Sequence, residues 1–129
     1  MGYHVVRPDE LPWQERERAP DEAARWHAPV TDALKLGQSR ARMWSYSPGA
    51  RGRRHKDPVQ EEVFVVLNGE MTAYMGEPPE RVVLPVGSVL AVHAGTALQL
   101  RNESDVEAHL FVYGAPPEQG SAEFLPDVE

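Results

Sequence analysis

The chain contains no cysteine, which removes disulfides, thiolate metal sites and cysteine nucleophiles together. No run of about 18 apolar residues occurs, so no membrane-spanning helix is expected. The opening stretch from Met1 to Pro12 is broken by His4, Arg7, Asp9 and Glu10 and does not read as the apolar core of a signal peptide. A cytoplasmic protein with no membrane partner is the simplest expectation. Basic residues are scarce in the second half, where residues 61–129 carry two Lys or Arg against twelve Asp or Glu, while residues 1–60 carry eleven against eight. The resulting net charge of -7 argues against nucleic acid as a partner. Two catalytic signatures are also missing. Gly49 and Gly52 are followed by neither a helix nor Lys-Ser/Thr, so there is no phosphate-cradling loop, and Gly87-Ser88 lacks the rest of a nucleophile elbow.

What is present fits one domain. At 129 residues about two thirds of the unfolded surface can be buried, enough for one core. Residues 1–37 form an arm punctuated by Pro8, Pro12, Pro20 and Pro29. Within it Tyr3 to Arg7 has strand preference, and Pro20 to Trp26 has the acidic start of a helical turn or two. The arm is expected either to cover an edge of its own sheet or to add a strand to a second subunit. From Gln38 the pattern is one of short strands separated by turns, at 39–47, 53–57, 61–67, 70–75, 81–84, 88–92, 96–101 and 107–113, which predicts an all-β sandwich or barrel over 38–115. Asn68-Gly69 reads as a tight hairpin turn joining 61–67 to 70–75. Residues 116–129, with Pro116, Pro117 and Pro126, read as a surface tail.

Two glycine-framed blocks stand out. The first runs Gly49, five residues, His55-Lys56-Asp57, four residues, Glu62, six residues, Gly69; the second runs Gly87, five residues, His93-Ala94-Gly95, two residues, Leu98, three residues, Asn102. This spacing resembles the two-motif signature of the cupin superfamily. Asp57 and Leu98 each stand where a His is usual, and His93 where a Pro is usual. The resemblance implies a double-stranded β-helix, or jelly-roll barrel, with an N-terminal arm. It also implies an interior site, and the superfamily's activities are diverse enough that fold does not fix function.

In the family pattern the two histidines, the glutamate and the last histidine hold one metal ion. Here His55 and Asp57 share a strand face by period two, Glu62 heads the next strand, and Leu98 has no lone pair to offer. His55, Asp57 and Glu62 therefore make at most a three-donor set for a divalent ion such as Mn, Fe, Ni or Zn. The alternative is that Asp57 and Glu62 pair with Arg51, Arg53, Arg54 or Lys56, and no metal is held. His55 and His93 are the candidates for acid–base catalysis. Trp44 and Tyr46 share a strand face and Phe64 follows Glu62 at the same parity, so these three, with Leu98 and Leu100, are expected to wall an apolar pocket. Tyr74, Phe111 and Tyr113 are further candidates for that wall. Arg53, in the run Arg51-Gly52-Arg53-Arg54-His55-Lys56, offers paired N–H donors to an anion at the rim; the plainer expectation for that run is a solvated face. The expected partners are thus a small organic ligand, anionic if the arginines bind it, and a second copy of the chain as a homodimer. Binding module and enzyme both remain open.

Overall fold

The computed structural model describes residues 2–117 and 122–129. Beyond one 3-10 turn at Pro8–Glu10, eleven strands make up its regular structure among these residues: β1 Gln14–Glu15, β2 Arg25–Pro29, β3 Arg40–Tyr46, β4 His55–Lys56, β5 Glu61–Asn68, β6 Met71–Met75, β7 Glu80–Leu84, β8 Val89–Val92, β9 Leu98–Arg101, β10 Ala108–Ala115 and β11 Glu123–Phe124. No helix is long and apolar enough to cross a membrane among the described residues. The strands form two sheets, one of six in the order β1-β2-β3-β10-β5-β8 and one of five in the order β11-β4-β9-β6-β7, with every pairing antiparallel. This is the jelly-roll arrangement, and each strand expected between 39 and 113 is present within a few residues of its expected bounds.

Period two sets what faces inward. On β10, Ala108, Leu110, Val112 and Gly114 are buried while His109, Phe111 and Tyr113 face the other way, and on β5 Glu62, Phe64 and Val66 alternate with the outward Val63, Val65 and Leu67. The inward set meets Met71, Ala73, Leu84, Leu98 and Leu100 from the other sheet in one core. Burying a side chain of the size of Leu110 or Met71 contributes about 1.5–3 kcal/mol each. The outward face of the six-stranded sheet is nevertheless apolar: Met43, Val63, Val65 and Phe111 are half-buried there and Leu67, Val89 and Tyr113 exposed.

Four local expectations are corrected. Asn68-Gly69 is not a hairpin, since β5 pairs with β10 and β8 whereas β6 pairs with β7 and β9. The turn instead carries the chain from one sheet to the other. Gly69 has a φ of +71°, and a Cβ there would lie 2.5 Å from the Glu107 carbonyl oxygen, so only glycine passes this crossing. Tyr3 to Arg7 forms no strand, and Arg7 instead precedes the 3-10 turn. The segment expected as helical turns ends in strand β2, where Trp26, His27 and Ala28 pair with Ser45, Trp44 and Met43 of β3. The arm thus extends its own chain's sheet and covers that edge of β3. The tail is likewise more than a surface extension: β11 pairs with β4, the Val128 amide donates to Gln99 Oε1, and Arg101 donates to the Val128 carbonyl. Residues 118–121 of the tail lie outside the described residues.

Candidate functional site

Strand β3 turns Arg42, Trp44 and Tyr46 inward, β5 contributes Phe64, and β9 contributes Leu98 and Leu100, so period two on three strands assembles one cavity of about 200 Å³. All six residues expected as ligand contacts line it: Trp44, Tyr46, Arg53, Phe64, Leu98 and Leu100. The other aromatic candidates do not. Phe111 and Tyr113 fall on the outward parity of β10, and Tyr74 donates its hydroxyl proton to Glu103 on the outside of the second sheet.

The remaining wall is cationic. Arg16, Arg25, Arg42 and Arg53 all line the cavity, and among the described residues no Asp or Glu does. Arg25 lies over both the Trp44 and Tyr46 rings, 5.0 and 5.4 Å from their centroids, and Arg16 approaches Trp44 at 5.9 Å. Arg53 stacks 3.6 Å over Phe124, which the tail strand β11 brings to the mouth. These stacked positions hold the guanidinium planes while leaving N–H edges to a ligand. The rest of the basic run is spent elsewhere, since Arg51 pairs with Asp127, Lys56 with Glu77, and Arg54 donates to the carbonyls of Pro126 and Gly76.

A second chamber of about 380 Å³ adjoins the first along Arg16, Arg42, Trp44, His55 and Phe124, and it adds His27, Arg40, Asp57, Gln60 and Glu62. The three metal candidates thus face one space, yet among the described residues no three His, Asp or Glu side chains lie close enough to hold an ion. Both carboxylate donors are already engaged by the protein. Glu62, 5% exposed, receives the Arg42 Nη2–H at 2.6 Å, a partner none of the four expected cations supplies. Asp57 Oδ1 accepts the Val59 and Gln60 amides at 2.9 and 2.8 Å, closing its own turn. Leu98 sits directly across from His55 in the β4–β9 pair and is 2% exposed, filling the fourth position with hydrocarbon. The residues present therefore do not fit a bound divalent ion: the Arg42 guanidinium already occupies the Glu62 carboxylate, and a second cation beside it would meet a like charge.

The two histidines expected to act as acid and base separate. His55 Nδ1 lies 3.0 Å from the Arg53 carbonyl oxygen; a carbonyl only accepts, so Nδ1 carries the proton and Nε2 is left as the acceptor. His93 lies in the exposed turn between β8 and β9, lines neither chamber, and is removed from the candidate site. Its place is taken by a residue that no sequence motif singled out. His27 pairs with Trp44 across β2 and β3, with ring centroids 4.6 Å apart. Burial first, and then the surrounding Arg42, Arg16, Arg40 and Arg25, lower its pKa from 6.5 to about 4, so its imidazole is neutral at physiological pH. Burial and Arg42 lower the Arg40 pKa in the same way.

The inward position of Arg42 was within reach of the sequence, because the alternation that pairs Trp44 with Tyr46 places Arg42 on the same face one step earlier. Arg16, Arg25, His27 and Phe124 carried no such signal, since arm and tail reach the mouth only through tertiary pairing.

The sequence model of the cupin domain matches residues 42–114, more than half of the chain. No curated protein matches the chain. Among solved structures it is similar to a sugar phosphate isomerase of the cupin superfamily from Silicibacter pomeroyi, at 22% identity and a TM-score of 0.74 over 86% of this chain and 74% of that one. It is also similar to a conserved protein with a double-stranded β-helix domain from Klebsiella pneumoniae, at 19% identity and a TM-score of 0.73 over 95% and 97% of the two chains. A predicted oxalate decarboxylase from Thermotoga maritima is similar at 16% identity and a TM-score of 0.75 over 87% and 98%. At these identities the likeness is one of fold. Arg16, Arg25, His27 and Phe124 all lie outside the matched segment, so the barrel is the family's and four residues of the mouth belong to this chain's own arm and tail.

Proposed function

The chain belongs to the cupin domain family, and from that premise we propose that its barrel is a receptor for a small organic anion, held by guanidinium groups in place of a metal ion. One observation carries this reading: among the described residues, four arginines and no carboxylate line a cavity whose floor is Phe64, Leu98 and Leu100. Like charges gathered at a partly enclosed site repel one another, and an entering anion relieves that repulsion while its carbon skeleton covers apolar wall. The test is a thermal-shift and calorimetric screen of small organic acids against the full chain. Acids should raise the melting temperature while their neutral amides do not, and the effect should weaken with salt. If no organic acid in the screen binds, the reading is wrong.

A second reading, turnover of the bound anion by acid–base chemistry, is supported by His55, whose Nε2 is left as an acceptor once Nδ1 donates to Arg53. Loss of turnover in His55→Gln with unchanged anion affinity would separate enzyme from receptor. Dimerisation through the apolar outward face of the six-stranded sheet completes the proposal; Val65, Phe111 and Val89 leave apolar surface there that a second copy would cover.

A further inference from the structure

Glu62 and Arg42 stand on strands separated by β10, with Gly114 opposite Glu62 and Val112 opposite Arg42. Arg42 crosses that strand to reach the carboxylate with Nη2 at 2.6 Å. Its other terminal nitrogen, Nη1, is buried and has no hydrogen-bond partner among the described residues. A buried N–H without an acceptor is costly, and in a cavity wall it marks where an acceptor is missing. Arg42 lines both chambers, at their junction.

We infer that the Arg42–Glu62 pair is the anion seat of the barrel: Glu62 fixes the guanidinium through Nη2, and the free Nη1 receives the carboxylate of a compact monocarboxylic acid. This rests on the anion-receptor reading and narrows it. In the family pattern the glutamate helps to hold a cation that faces the ligand; in this chain the cation facing the cavity is covalently part of the protein. Glu62 is a positioning residue and Arg42 is the binding residue.

The ligand class follows from the donors and the space. Among the described residues the first chamber offers no Ser, Thr, Lys, Asn or Gln side chain, and Tyr46 supplies the one hydroxyl. Phosphate groups are usually met by clusters of backbone N–H groups, hydroxyls and several cations, whereas a carboxylate is met by the N–H donors of a single guanidinium. The first chamber, at about 200 Å³, is below the roughly 300–1,000 Å³ of common ligand pockets, so a carbon body lodged in it is short. Phe64, Leu98 and Leu100 make that end apolar, and Trp44 gives it a flat wall.

Benzoate, phenylacetate and butyrate, each beside its amide, and inorganic phosphate are titrated into the wild-type chain and into R42M/E62Q and R53Q by calorimetry. The double variant removes both charges of the pair, so the core is not left with an uncompensated ion, and a cooperative melt verifies that it folds. At least one carboxylate should bind wild type better than its amide and better than phosphate. Its affinity should fall about 30-fold in R42M/E62Q, the loss of one charge-assisted hydrogen bond, and only about threefold in R53Q, whose guanidinium sits at the rim. A folded R42M/E62Q with wild-type affinity overturns the seat while leaving the receptor intact. Phosphate binding more tightly than every carboxylate overturns the ligand class alone. Absence of binding by every anion overturns the seat and the receptor together.

Discussion

The Arg42–Glu62 pair makes a quantitative demand on stability. Its side chains are 14% and 5% exposed and its N···O distance is 2.6 Å, so water screens it poorly. Removing one member of a buried pair leaves the other as an uncompensated charge and commonly costs about 3–5 kcal/mol; removing both with apolar or neutral groups of similar volume is often close to neutral. Two features lower the single-variant costs here. Arg42 is not fully enclosed, and Arg40 is close enough to feel the Glu62 charge and can partly replace Arg42 in R42M. The expectation is therefore about 2–3 kcal/mol for either R42M or E62Q, and about 1–2 kcal/mol for the double variant, leaving a coupling of about 3 kcal/mol. Urea unfolding at neutral pH measures all four corners of the cycle, each single variant shifting the midpoint by about 1–2 M for a chain of this size. Additive losses, with the double variant near 5 kcal/mol, would refute the reasoning, because Glu62 would then be stabilised by something other than Arg42.

Three further outcomes are expected. His27 is held at a pKa of about 4 in the folded chain against 6.5 unfolded, so the unfolded chain binds more protons between these values; its contribution to stability is complete above pH 6.5 and is lost as pH falls toward 4. After solvent screening this amounts to about 1–2 kcal/mol, and H27F should flatten that limb of the pH–stability curve, whereas an unchanged limb would show that His27 does not titrate with folding. Titration with Mn, Fe, Ni or Zn salts should give no saturable rise in melting temperature, because the donor carboxylate is already paired; stoichiometric metal in purified protein, lost in Glu62→Ala, would reinstate a metal centre built on His55, Asp57 and Glu62. Light scattering should give a dimer that V65D/F111D converts to a monomer, since both side chains lie on the apolar outward face; a monomeric wild-type chain would remove the interface.

The parts of this molecule that were legible in its sequence share a short range. Alternation over three or five residues sent Trp44 and Tyr46, Phe64, and Leu98 and Leu100 to one interior, and they meet there. The glycine-framed spacing named the barrel because backbone requirements recur at fixed distances along the strands. Where a choice depended on the partner strand, local reasoning failed. Asn68-Gly69 has hairpin chemistry, but β5 finds β10 and β8 while β6 finds β7 and β9, so the turn links sheets. The sequence leaves Glu62 between a metal ion and four nearby cations, and it instead takes Arg42, twenty residues earlier and two strands away in the sheet.

The same division separates scaffold from specificity. Strands β3 to β10 lie almost wholly within the segment matched by the family, and they supply the apolar floor and the Arg42–Glu62 pair. Arg16, Arg25 and His27 come from the arm and Phe124 from the tail. Each is held by edge pairing, β1 on β2, β2 on β3 and β11 on β4, which is the part of a sheet where strands are added with least disturbance to a core. A chain cut to begin at Gln38 should therefore keep its barrel and the Arg42 seat but lose Arg16, Arg25 and the neutral His27 from the wall. Anion affinity should fall by the two lost guanidinium contacts, about tenfold or more, while the affinity of the matching amide stays level. Equal losses for acid and amide would mean that the arm shapes the cavity and contributes nothing through its charge.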